Sequence, residues 1–158
     1  MKSFDRAELW FEDFEKGNTV PLADYEISRE EIIDFAVRFD PQPIHTDEDA
    51  ARETIVEGLC ASGWHTCAIF MRMMCGGFLL NAKGLGSPGV DNAKWIRPVR
   101  AGDRLSGSGT VESARASTSR PEIGICVIAY RVKNQHGEDV FAIDCRHIFA
   151  RRNEESAS

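Results

Sequence analysis

The residues with the clearest chemical potential lie in Asp40-Pro41-Gln42-Pro43-Ile44-His45, where a carboxylate and an imidazole stand five positions apart among two prolines. An imidazole exchanges protons near neutral pH without strong tuning, whereas an aspartate does so only when desolvated or suitably hydrogen-bonded. Together they are the equipment of general acid–base catalysis. Such groups must be held still, because a displacement of about 1 Å can cost on the order of a hundredfold in rate. Pro41 and Pro43 stiffen the bend that carries them. A structural reading stays open beside this one. Asp-Pro is a common turn opener, and His45 could pack against Thr46 and Asp49 at the start of the next helix.

Gly63 is the second candidate. It opens a long apolar run, and a helix beginning there carries unsatisfied N–H groups and a partial positive charge of about half a unit. That suits an oxygen that gains negative charge during reaction, and glycine lets a ligand come close to the backbone. The alternative is that Ser62-Gly63 is a small-residue cap beneath a crossing strand. Trp64 and His65 are expected in the core or the pocket wall. Two other patterns are set aside. His45-x-Asp47-x-Asp49 is better explained by helix capping than by a metal, so no metal is expected. Gly84-x-Gly86-x-x-Gly89 precedes a strand pattern rather than a helix and is not a phosphate-binding loop.

The elements that must position these groups follow from periodicity. Ser28-Arg-Glu-Glu31 is a capping box, and Ile32, Phe35, Ala36 and Phe39 line one face of the helix it starts. That helix ends at Phe39, before the prolines. A short helix is expected after Thr46-Asp-Glu-Asp49, and a helix buried on most sides over 64–80, whose only formal charge is Arg72. It is short for a membrane span. Residues 84–89 read as a loop. Strands are expected over 20–27, 90–99, 105–116, 123–132 and 140–150, the last four separated by turn signals at 101–103, 117–121 and 134–137. Strand, helices, then a meander predict an α+β domain in two layers, with an antiparallel sheet curved around the apolar helix.

The run 40–47, followed by Ile55-Val-Glu-Gly-Leu-Cys-Ala-Ser-Gly63 opening an apolar helix, resembles the hydratase motif of the MaoC-like dehydratases and (R)-specific enoyl-CoA hydratases. The resemblance implies a hot-dog fold, a long central helix wrapped by a curved antiparallel sheet, over one domain spanning 1–158 with a disordered tail from about 152. It implies paired subunits and addition of water to, or its removal from, a 2-enoyl thioester. Asp40 and His45 would bracket the water, and the Gly63 N–H would hold the thioester oxygen. The sequence departs from the pattern at Gln42, where Asn is usual, and at Ser62, where His usually precedes the glycine. Both changes bear on water positioning, rate and substrate choice. Substrate contacts are also expected from Trp64, and from Phe70, Met71 and Met74 along the acyl chain. No cofactor is implied, since coenzyme A is part of the substrate. Its phosphates need a basic patch, for which Lys94, Arg97, Arg100 and Arg104 are the candidates. Thioester hydrolysis on the same fold, or acyl-thioester binding without catalysis, are the alternatives.

At 158 residues with 42% hydrophobic and 28% charged residues, the chain can bury roughly two-thirds of its unfolded surface as one compact core. A formal charge of −6 argues against a nucleic-acid partner. Five cysteines without Cys-x-x-Cys spacing read as free thiols of a reducing cytoplasm, and the acidic N-terminal residues do not read as an export signal. A homodimer is expected, because pairing would cover an exposed sheet edge.

Overall fold

In the computed structural model, which describes Phe4 and residues 8–152, the capping box forms as its spacing predicts. Ser28 Oγ accepts the Glu31 N–H at 3.1 Å, and Glu31 Oε2 accepts the Ser28 N–H at 2.8 Å. Helix α1 then runs Arg29–Phe39 and buries Ile32 and Ala36. The prolines end it, but the bend beyond is not a plain loop. A single helical turn, α2, runs Pro43–Thr46 with Pro43 in its first turn, where a missing N–H costs nothing. Asp47 closes α2 and caps α3, Glu48–Arg52, by accepting the N–H groups of Asp49 and Ala50 at 2.9 and 3.0 Å.

Helix α4, Gly63–Gly77, is three residues shorter than expected at its C-terminal end. Its last residue must be glycine: a Cβ at Gly77 would stand 2.3 Å from the Pro21 carbonyl oxygen, so the chain passes another segment there at backbone contact. Residues Leu79–Asn81 form one 3-10 turn instead. A further such turn, Phe11–Asp13, has no counterpart in the sequence reading.

Among the described residues, seven strands form one antiparallel sheet. Its body is β5 (Arg104–Ala116), β6 (Ile123–Lys133) and β7 (Asp139–Ala150), in the expected meander. The strand expected over 20–27 is two pieces, β1 (Thr19–Pro21) and β2 (Tyr25–Glu26), both paired to β5. Between them the Ala23 N–H leaves the sheet to donate to the Met73 carbonyl at 2.9 Å. On the far side, β3 (Gly84–Gly86) and β4 (Val90–Trp95) both pair with β7. Thus the expected loop at 84–89 contains a short strand, and the strand expected over 90–99 stops at Trp95, short of Pro98.

The sheet wraps α4. Phe70 packs between Tyr130 and Phe141, with ring centroids 5.0 and 5.7 Å away, and Ile69, Met73 and Met74 are buried beside it. One stripe of α4 departs from the expectation of burial on most sides. Trp64 is 67% exposed and Met71 48%, with Ala68 and Arg72 exposed between and beside them. Among the described residues no helix is long and apolar enough to cross a membrane. The tail expected from about 152 lies, beyond Arg152, outside the described residues.

Candidate active site

The α1–α2 bend brings Asp40 and His45 together. Asp40 is the C-cap of α1, and His45 sits one helical turn later on α2. His45 Nε2 lies 3.5 Å from Asp40 Oδ2, with the imidazole 8% and the carboxylate 17% exposed. The other ring nitrogen, Nδ1, lies 2.8 Å from the Cys60 carbonyl oxygen. A carbonyl only accepts, so Nδ1 carries a proton and donates it, which leaves Nε2 of a neutral ring with its lone pair toward Asp40.

Asp40 is held as a carboxylate. Ser62 Oγ donates to Oδ2 and Gln42 Nε2 donates to Oδ1, each at 2.6 Å. The Ser62 bond first, then the Gln42 bond, hold its pKa below the ordinary value against the opposing effect of burial, and His45 adds a smaller pull in the same direction. Both departures from the family pattern therefore touch the same carboxylate. Ser62, fully buried, also caps α4 by accepting the Trp64 N–H at 3.3 Å.

Gly63 follows Ser62 as the first residue of α4, and its N–H meets no acceptor among the described residues. A Cβ there would stand 2.6 Å from the Trp95 indole, whose Nε1–H donates to the Gly63 carbonyl at 2.8 Å. Glycine is required because an aromatic ring lies across the helix start. Asp40, Gln42, His45, Gly63 and Trp64 line one cavity of about 410 Å³, walled also by Cys60, Trp95, Arg97 and Val99. A carboxylate, an imidazole, a free N–H and an apolar wall thus share one space. Such a space can hold a water against a carboxylate and an imidazole while a backbone donor meets a nearby oxygen.

The other candidates are distributed more widely. Arg97 lines the cavity, and its Nη1 donates to the Asp139 carbonyl at 2.8 Å. Lys94 lies exposed on β4, and Arg104 pairs with Glu26 on the far side of the sheet. The Arg100 guanidinium donates to the carbonyls of Val56 and Leu59, and so ties down the segment leading into Cys60. Phe70 is core, and Met71 and Met74 line a second cavity rather than this one. His65 is buried against Phe35, 4.5 Å between ring centroids, away from Asp40. Trp95 and the Cys60 carbonyl are the components that sequence reasoning missed. Trp95 is 32 positions from Gly63, and a backbone oxygen leaves no mark in residue identity.

Residues 13–128 match the family described as "MaoC like domain". The chain is 28% identical over 130 residues to the uncharacterized protein YdeM of Bacillus subtilis, covering 82% of this chain and 91% of that one. It is 31% identical over 118 residues to an (R)-specific enoyl-CoA hydratase of Rhodospirillum rubrum, covering 70% and 75% of the two chains. The crystal structure of a MaoC-like dehydratase from Rhodospirillum rubrum superposes with a TM-score of 0.86 at 38% identity, covering 92% of this chain and 99% of that one. A family match over most of the chain and the superposition of the wrapped-helix architecture on a MaoC-like dehydratase place this protein in the MaoC-like dehydratase family, with the hot-dog fold.

Proposed function

We propose that the protein is an acyl-CoA hydratase/dehydratase that adds water to a 2-enoyl thioester, or removes it, with (R) stereochemistry. The observation that carries this reading is the opposition of two acceptors, Asp40 Oδ2 and His45 Nε2, 3.5 Å apart beside the free N–H of Gly63. Two lone pairs facing each other are reconciled by a water that donates one proton to each. As that oxygen bonds to the β-carbon, His45 Nε2 takes a proton and the C=C electrons move toward the thioester oxygen, which the Gly63 N–H stabilises. The imidazolium then returns the proton to the α-carbon. Asp40, held ionised by Ser62 and Gln42, aligns the water and offsets the charge on the ring. One base serving both steps delivers O and H to the same face of the double bond.

Coenzyme A phosphates are proposed to meet Arg97 at the cavity and Lys94 on β4, with Arg100 bracing the wall through its carbonyl contacts. The Cys60 thiol is a poor candidate nucleophile for hydrolysis, because burial raises its pKa, only partly countered by Arg100. A homodimer is supported by the exposed apolar stripe of α4 beside β4, an edge strand whose Val90 and Trp95 are also exposed. Five free thiols suit a cytoplasmic location.

The test is a panel of 2-enoyl-CoA esters, followed by loss of the conjugated enoyl absorbance. Asp40→Asn and His45→Ala each lower kcat by about 10²–10⁴-fold with the fold intact by circular dichroism. Near-normal turnover in either variant, or release of free thiol by the wild type, counts against the reading.

A further inference from the structure

Residues 53–62 join α3 to α4 without helix or strand, yet one peptide group among them decides the state of His45. The Cys60 carbonyl accepts the Nδ1 proton at 2.8 Å, and the N–H of the same peptide unit, that of Ala61, donates to the Val99 carbonyl at 2.8 Å. The proton is contested. Across the ring Asp40 Oδ2 is an acceptor too, and a charged acceptor holds a donor roughly twice as strongly as a neutral one at equal geometry. It stands 3.5 Å from Nε2, beyond the roughly 2.7–3.2 Å of an N–H···O bond. The carbonyl therefore prevails by its position. A small shift of the 60–61 peptide would hand the proton to Nε2, which would donate to Asp40 and keep no lone pair for a water.

Arg100 holds the approach to that peptide. Its guanidinium donates to the carbonyls of Val56 and Leu59, a pair of acceptors that its fixed fork can meet together. Between those carbonyls Glu57 and Gly58 have φ of 55° and 139°, and the first is backbone that a residue with a side chain rarely adopts. A Cβ at Gly58 would stand 3.2 Å from Arg100 Nη1, so the cation lies against bare backbone. Arg100 is itself fixed, since its N–H donates to Asp103 Oδ2 at 2.8 Å and the Asp103 N–H donates to the Arg100 carbonyl at 3.1 Å. Unlike Arg97, it does not line the cavity at Asp40 and His45. We infer that Arg100 is a positioning residue and not a phosphate contact: it locks residues 56–59 so that the Cys60 carbonyl keeps the His45 proton on Nδ1 and leaves Nε2 free to accept from a water. The kinetic consequence rests on the hydratase reading above; the tautomer does not.

The experiment uses the whole protein labelled with ¹⁵N-histidine, whose four histidines give a simple spectrum, with His45 assigned by its loss in His45→Ala. At about pH 8.5, well above the ordinary imidazole value of about 6.5, the wild-type ring carries its proton on Nδ1. Arg100→Met keeps the apolar stem and removes both donations. With its circular dichroism unchanged, its His45 ring moves toward the Nε2–H form, and kcat for a 2-enoyl-CoA falls about tenfold to a hundredfold. KM changes by less than about threefold. The loss is the same with the 2-enoyl ester of N-acetylcysteamine, which carries no phosphate. Arg100→Lys, which keeps the charge without the fork, recovers part of kcat and part of the Nδ1–H form. The inference is overturned if the wild-type ring carries its proton on Nε2, a measurement that needs no variant, or if Arg100→Met leaves the tautomer unchanged. It is also overturned if the loss falls on KM for the CoA ester and vanishes with the phosphate-free ester, which makes Arg100 a phosphate contact. The tautomer is read whether or not the wild type turns over an enoyl thioester, so this inference and the hydratase reading fail separately.

Discussion

Ser62→Ala separates two roles of one hydroxyl by their dependence on pH. Ser62 Oγ caps α4 by accepting the Trp64 N–H, and it donates to Asp40 Oδ2 at 2.6 Å. Loss of a serine cap costs about 1 kcal/mol at any pH. Loss of a hydrogen bond to a charged group costs about 1.5–3 kcal/mol, and the lower end applies because water can reach a carboxylate that is 17% exposed. The variant is therefore less stable by about 2–3 kcal/mol at pH 7. Asp40 titrates lower in the folded protein than in the unfolded chain, so its contribution is full above the unfolded value of about 3.9 and is lost as pH falls through the folded value. Urea unfolding of both proteins from pH 7 downward gives the difference directly. It narrows below about pH 4 toward the cap's share of about 1 kcal/mol. A gap that stays constant over that range refutes the bond to an ionised Asp40, and with it the account of why this carboxylate keeps its charge.

Gly63→Ala drives a methyl into the Trp95 ring, 2.6 Å from the ideal Cβ, and costs about 1–3 kcal/mol of stability with a loss of kcat. Trp95→Ala in the same chain recovers stability more than activity, as thermal melts and enoyl-CoA turnover report. For His147 the sign runs through the neutral form, because burial lowers its pKa to about 4 against about 6.5 unfolded. The stability it confers is full above about pH 6.5 and falls by about 3 kcal/mol as pH drops to about 4, so His147→Leu flattens the pH dependence of urea unfolding in that window. Met71→Glu places a charge in the exposed stripe of α4, and sedimentation of the variant as a monomer against a wild-type dimer checks the proposed pairing.

Local rules settled much of this molecule. The Ser28 capping box, the two prolines after Phe39 and the Asp47 cap act within a few residues of themselves, so the ends of α1 and the start of α3 were readable from composition and spacing. The strand-forming run over 140–150, bounded by the turn signal at 134–137, was likewise readable and forms β7. Asp40, His45 and Gly63 were legible as candidates because a stiff bend and a glycine-led helix are local features too.

What residue types could not express was who stands opposite whom across the chain. The Ser62 hydroxyl meets a carboxylate 22 positions earlier, the Cys60 carbonyl fixes the tautomer of a histidine 15 positions earlier, and Trp95 covers a glycine 32 positions before it. The break between β1 and β2 and the glycine at the end of α4 are likewise tertiary: the Ala23 N–H leaves the sheet for the Met73 carbonyl, and Pro21 and Gly77 approach at backbone contact only in the folded chain. Periodicity reports which face of an element is apolar. Only packing decides whether that face meets the core, a cavity or another surface, and so Met71 and Trp64, apolar residues on a helix expected to be buried, stand exposed.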